Sequence, residues 1–187
     1  MAKPKITLFV DIVSPFAYMG FHALRVHKDA WIMKERLRWA KLFNIPICEE
    51  TPEGFPPNTI SAQRALCAIE GSSPDKLADA IDALYQAFWV RSETIQKTEV
   101  VAKALASALG KEGAEKVMGQ LGSAEVKKRL SGNTDKAFGD GAFGLPWFVA
   151  TNSKGETEGY WGFDHIGQMV DFLGLERPTS GGWKAML

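Results

Sequence analysis

Strand-forming sequence is confined to the two ends of this chain, and the long stretch between them is helical or loop in character. Ile6 to Val13 is rich in β-branched and aromatic residues and is bounded by Lys3-Pro4-Lys5 and Ser14-Pro15, which predicts a buried strand. The next such run is Trp147 to Thr151. The turn Asn152-Ser153-Lys154-Gly155 and a second run, Thr157 to Trp161, follow it and predict a hairpin. The order is strand, helix, a long helical block, then hairpin and helix. An open α/β unit interrupted by an all-α insert fits that order, and no internal repeat is visible.

Helix signals fill the interior. Ser14-Pro15 opens the first helix, since serine is a favoured N-cap and proline suits the first helical position. A second helix is expected from Trp31 to Phe43, stopped by Ile45-Pro46, and prolines with a glycine force a loop from Thr51 to Asn58. Ser61 to Ile69 reads as helix. Ser73-Pro74-Asp75 starts another, with Leu77, Ile81, Leu84 and Phe88 on one face. Glu99–Leu109, Ala114–Leu121 and Ala124–Leu130 follow, punctuated by Gly110, Gly113 and Gly122. Asp164 is placed to cap a last amphipathic helix ending at Gly174.

Composition narrows the function classes. Lys plus Arg is 22 and Asp plus Glu is 22, so the chain lacks the basic field that nucleic-acid binding needs. Lys127-Lys128-Arg129 reads as a solvated helix face. The apolar share of 45% excludes disorder, and no run is long enough to span a bilayer. Cys48 and Cys67 match neither a C-x-x-C redox pair nor a zinc spacing, so both read as core thiols. His22, His27 and His165 form no metal pattern, so no metal is expected.

Three places remain for chemistry. Ser14 meets the positive end of a helix dipole, where it is either a simple cap or a stabiliser of an anion such as a thiolate. Leu145-Pro146 follows a glycine loop. It is either a trans proline at an edge strand or a cis proline that leaves the Leu145 backbone free for an extended ligand. Asp164 caps its helix or binds a cation such as an amino group. His165 is a solvated residue, a titrating group or an anion partner.

Together these residues resemble the kappa-class glutathione transferase family, which includes the 2-hydroxychromene-2-carboxylate isomerases and is related to DsbA-type oxidoreductases. The resemblance rests on Val10-Asp11-Ile12-Val13-Ser14-Pro15-Phe16-Ala17-Tyr18, Gly141 to Pro146, and Trp161 to His165. Lys34 to Ala40 and Asn44-Ile45-Pro46 support it. It implies an α/β fold in which a thioredoxin-like domain (1–30 and 140–187) is interrupted by an all-α helical insertion domain (31–139), usually in a homodimer. Ser14 and Ala17 stand where oxidoreductase relatives carry Cys-x-x-Cys, so dithiol exchange is excluded there.

The resemblance implies that glutathione supplies the thiol and that a small electrophile accepts it; Phe16, Trp89 and Trp161 are either walls of the electrophile pocket or core aromatics. Ser14 would bond the glutathione sulfur. Leu145, ahead of Pro146, would pair with its cysteinyl backbone. Asp164 would take its ammonium, and the Phe163 backbone its carboxylate, beside His165 where the family often has arginine. Transfer to an electrophile, thiol-assisted isomerisation and a non-catalytic truncated relative are the three functions this leaves. The last arises because Arg25-Val26 runs almost directly into His27-Lys28-Asp29, as though several tens of residues were deleted after Val26. Cytoplasm is the expected compartment; the family also occurs in mitochondria and peroxisomes.

Overall fold

The computed structural model describes residues 31–179 and 181–185, with side chains through Trp183. The expected strand Ile6–Val13, Ser14 and its helix, Phe16 and the break after Val26 lie outside the described residues.

Helix α1 (31–43) ends because Asn44 adopts φ 54°, a left-handed conformation that asparagine tolerates. Ile45 N–H then donates to Ala40 O (2.8 Å) and Asn44 N–H to Lys41 O (3.3 Å), which closes the last carbonyls of the helix. The stop is therefore made at Asn44, one residue before the expected Ile45-Pro46. The loop beyond is tied back by Arg36, whose Nη1 donates to Cys48 O (2.8 Å) and whose guanidinium lies 5.4 Å from the Trp89 ring centre. Cys48 is only half-buried on this loop, so of the two free thiols only Cys67 is a core residue.

Four helices build the main core: α2 (Ile60–Ser72), α3 (Leu77–Tyr85), α4 (Thr98–Gly119) and α5 (Ala124–Gly139). α3 is preceded by a 3₁₀ turn, Pro74–Lys76, and followed by a π-helical turn, Gln86–Val90. Ile69, Val101 and Leu105 are wholly buried between them, with Leu84, Phe88, Val117 and Val126 around them. Many of the remaining core positions are alanine, including Ala65, Ala80, Ala87 and Ala104, and small side chains let the helix axes approach closely. No polar or charged side chain is buried among the described residues.

The helices expected at 99–109 and 114–121 are two, joined in α4 across a kink at Gly110 (φ 73°, ψ 166°), as expected; Gly113, also expected to punctuate them, is helical. One expectation needs correction. α5 runs past Leu130 to Gly139, through the poor helix formers Ser131, Gly132, Asn133 and Thr134. Ser131 and Thr134 return their hydroxyls to Lys128 O (3.1 Å) and Leu130 O (3.0 Å). Asn133 reaches across to Glu70 on α2 (3.3 Å). Packing against α2 carries the extension that local propensity does not. Lys127 and Lys128 are exposed, and Arg129 pairs with Glu125 at 3.5 Å, as a solvated helix face should.

The hairpin forms with the expected bounds, β1 (Trp147–Thr151) against β2 (Thr157–Trp161), antiparallel, with Trp147 opposite Trp161 and Thr151 opposite Thr157. Asn152 builds the turn: its Oδ1 accepts from Lys154 N (3.0 Å) and Glu156 N (3.1 Å), while Gly155 takes φ 82°. Helix α6 (Ile166–Phe172) follows and closes on Gly174 (φ 68°). Trp39 and Phe43 of α1 stack on Phe163 at 5.5 and 5.1 Å between centroids, and Trp183 covers Phe43 at 5.9 Å. Trp183 is thus half-buried against its own chain. No helix among the described residues is long and apolar enough to cross a membrane.

Candidate functional site

The hairpin's open end gathers five of the six expected site residues; the sixth, Ser14, lies outside the described residues. Pro146 directly precedes β1, and Gly162 directly follows β2. Pro146 O accepts a hydrogen bond from Gly162 N–H (3.0 Å), which extends the ladder by one rung and fixes the two departing segments side by side. Leu145-Pro146 therefore leaves one arm of this end while Phe163-Asp164-His165 leaves the other.

The Leu145–Pro146 peptide bond is cis, the second of the two sequence readings. The loop before it is pinned by Gly141 N–H to Phe138 O (3.0 Å) and Ala142 N–H to Ala137 O (2.9 Å). Gly144 lies under the Trp161 indole, where a Cβ would come within 2.5 Å of Nε1, so no larger residue fits without moving the ring. Phe143 sits between Trp147 and Trp161, at 5.7 and 5.1 Å. Leu145 itself is 82% exposed, and among the described residues its N–H and C=O take no hydrogen-bond partner. An open backbone pair of this kind is what an added peptide strand uses.

Across from it, Phe163–His165 forms a 3₁₀ turn ahead of α6. The expectation that Asp164 caps this helix is overturned: it makes no capping hydrogen bond. Its carboxylate instead folds back toward Gly162, which takes φ 91° and has no room for a Cβ, only 2.5 Å from Asp164 Oδ1. Asp164 is exposed and carries a full charge's worth of unused acceptor capacity, apart from His165 Nδ1 at 3.4 Å. That contact has ion-pair range without hydrogen-bond geometry, and Nδ1 has no hydrogen-bond partner among the described residues. The Phe163 ring belongs to the α1 aromatic cluster, packed against Trp39 and Phe43.

Other expected walls divide. Trp161 is 44% exposed beside Leu145, whereas Trp89 packs against Phe88 (4.9 Å) and Phe55 (5.8 Å) at the far end of α3. An apolar groove of about 450 Å³ runs from Leu145 between α2, α3 and α5. Its wall includes Cys67, whose thiol is pushed above its ordinary value first by burial and then by the Glu70 carboxylate. Sequence reasoning did not find this groove. The stripe Leu77, Ile81, Leu84, Phe88 reads as a core face, yet only Leu84 and Phe88 are buried; Leu77 and Ile81 are half-buried along the groove. No group of His, Cys, Asp or Glu that could hold a metal ion occurs among the described residues.

Known proteins resemble this chain over most of its length. Glutathione S-transferase kappa 2 of Caenorhabditis elegans is 27% identical across 90% of this chain and 91% of that protein. Glutathione S-transferase kappa 1 of Rattus norvegicus and of Homo sapiens are each 25% identical across 90% of both chains. The first alignment has 207 positions, and 90% of 187 residues is about 168, so about 39 positions have no counterpart here. The family model of the DSBA-like thioredoxin domain matches residues 26–174, from the end of the first expected helix to the end of α6. The chain belongs to the DsbA-like thioredoxin domain family, an α/β fold.

Proposed function

We propose that this chain is a glutathione transferase-type enzyme of the kappa kind, which adds the glutathione thiolate to a small electrophile. The observation that carries the reading is the yoked open end of the hairpin. One arm offers the unpaired Leu145 backbone beside cis Pro146, and the other offers the exposed Asp164 carboxylate two residues after Gly162. Glutathione has a peptide backbone at its cysteine and an ammonium with a carboxylate at its γ-glutamyl end. Leu145 pairs with the former. Asp164 takes the ammonium, the Phe163 N–H takes the carboxylate, and His165 stands beside them.

In this reading residues 1–30 and 140–187 form the thioredoxin-like domain and 31–139 the helical insertion. Ser14, at the helix start, donates its hydroxyl to the sulfur and lowers the thiol pKa with help from the helix dipole. The thiolate attacks the electrophile, forming a C–S bond, while the displaced electron pair leaves with a halide or moves onto a carbonyl oxygen. The working unit is a homodimer in the cytoplasm, with no nucleic acid or membrane as partner.

Calorimetry with glutathione tests the binding half. Asp164→Asn keeps the shape and removes the charge; because Asp164 is exposed, the expected loss is about fivefold in affinity, near 1 kcal/mol. The ultraviolet absorbance of bound thiolate against pH tests the chemical half. Ser14→Ala loses a hydrogen bond to a charged sulfur, about 1.5–3 kcal/mol, and raises the bound thiol pKa by about one to two units. Unchanged titration in Ser14→Ala reduces Ser14 to a cap. Absence of glutathione binding by the unaltered chain overturns the reading and leaves a non-catalytic relative.

A further inference from the structure

Between the pinned Ala142 and Pro146, the main chain of Phe143, Gly144 and Leu145 takes no hydrogen bond among the described residues. Packing must therefore set where this segment lies. The Leu145 side chain adds little to it, being 82% exposed. Phe143 rests on two indoles, Trp147 at 5.7 Å and Trp161 at 5.1 Å, which stand on residues paired across the hairpin. Trp161 also reaches the next residue. The three atoms nearest a Cβ at Gly144 would all be its own, Nε1 at 2.5 Å, Cε2 at 3.2 Å and Cδ1 at 3.4 Å.

Gly144 takes no positive φ, so its backbone conformation does not call for glycine. The indole does, because it occupies the space of a side chain. Gly144 and Trp161 are thus two halves of one contact. The other side of Leu145 is held just as directly, since Pro146 O accepts from Gly162 N–H at 3.0 Å. Residues 161 and 162 therefore grip the residues before and after Leu145. Its own N–H and C=O stay open between them.

We infer that Trp161 is a positioning residue for peptide recognition: through Gly144 it fixes the Leu145 main chain in the orientation that pairs with the cysteinyl backbone of glutathione. This rests on the glutathione reading above and adds the residue that regulates its peptide half. Ordering the main chain of one loose residue costs a ligand about five- to thirtyfold in affinity, and a segment already held spares it that loss. In this role the indole touches Phe143 and Gly144 and has no need to touch the ligand.

Calorimetry of the full chain compares glutathione with an analogue methylated on the cysteinyl amide nitrogen, which has no proton to donate to Leu145 O. The unaltered chain is expected to bind the analogue about two- to tenfold more weakly, the loss of one hydrogen bond. Gly144→Ala pushes a methyl into the indole. Trp161→Leu keeps an apolar side chain but withdraws the atoms nearest Gly144. Each variant, checked as folded by thermal melting, is expected to bind glutathione about five- to thirtyfold more weakly and to narrow the gap between the two ligands. Together they are expected to cost far less than the product of their separate effects, because the methyl then has room. A merely structural prop would weaken both ligands alike. An unchanged gap in both variants therefore overturns the inference, as does unchanged glutathione affinity. Equal binding of the two ligands by the unaltered chain overturns it as well and leaves glutathione binding standing. Failure of the unaltered chain to bind glutathione overturns both readings.

Discussion

Gly159→Ala isolates the packing that supports the open end of the hairpin. Gly159 lies in the middle of β2, opposite Val149, with no positive φ, so an alanine backbone fits. By unfolded-state entropy alone the substitution would stabilise by about 0.4–1 kcal/mol. The Trp147 indole, however, lies flat over this glycine. A methyl group there would overlap Cζ2 outright and stand 2.9 Å from Cη2 and 3.1 Å from Cε2. Trp147 must swing away, giving up its edge contact with Phe143 at 5.7 Å, and overpacking of this kind costs about 1–3 kcal/mol. The clash outweighs the entropy gain and leaves a net loss of about 1–2 kcal/mol. At about 2–4 °C per kcal/mol for a chain of this size, the melting temperature falls by roughly 2–8 °C. Thermal unfolding followed by tryptophan fluorescence measures it. Gly159→Ala combined with Trp147→Leu is expected to cost less than the two changes added, because the smaller side chain leaves room for the methyl. A Gly159→Ala protein as stable as the parent, or strict additivity in the cycle, refutes the reasoning.

Two further outcomes follow from charge and burial. Glu93 accepts from Lys103 Nζ (2.8 Å) and Arg91 Nη2 (3.3 Å), which holds its carboxyl below the ordinary 4.5. The folded form therefore binds that proton less readily than the unfolded one, and its contribution is present above about pH 4.5 and lost as pH falls through the lowered value. Glu93→Gln should destabilise by up to about 1 kcal/mol at pH 7 and by much less at pH 3, read from urea melts; a pH-independent difference would contradict the pairing. Burial raises the Cys67 thiol, so brief iodoacetamide treatment at pH 8 should modify half-buried Cys48 and spare Cys67, as judged by peptide mass; equal labelling would mean the α2–α5 packing opens readily.

The hairpin was legible to the residue because its signals are local: Asn152 and Gly155 specify the turn, and the flanking runs are the right length. Cis Pro146 was legible only through the glycine loop and the family pattern, since proline permits either isomer. The extension of α5 was hidden because its support, Asn133 to Glu70, joins residues 63 positions apart in the sequence. Asp164 misled for a related reason. Its type and position predict a cap, yet the 3₁₀ start of α6 and the left-handed Gly162 turn the carboxylate away from the helix. The groove escaped because a half-buried Leu77 or Ile81 has the same spacing as a core residue, and only the loop at 142–145 decides that one side stays open.

The rung between Pro146 and Gly162 makes the distant Asn152 turn a gauge for ligand length. Five paired residues separate the two, and pairing advances in lockstep, so the turn alone decides which residue emerges opposite which at the other end. One residue added or removed between Asn152 and Gly155 would bring Leu145 out beside a different neighbour and stagger the two recognition arms by about 3.4 Å. If glutathione binds as proposed, a tripeptide spanning the two arms would then be a residue too long or too short. Substitutions on the faces of this hairpin are thus expected to disturb the open end far less than a change in the length of its turn.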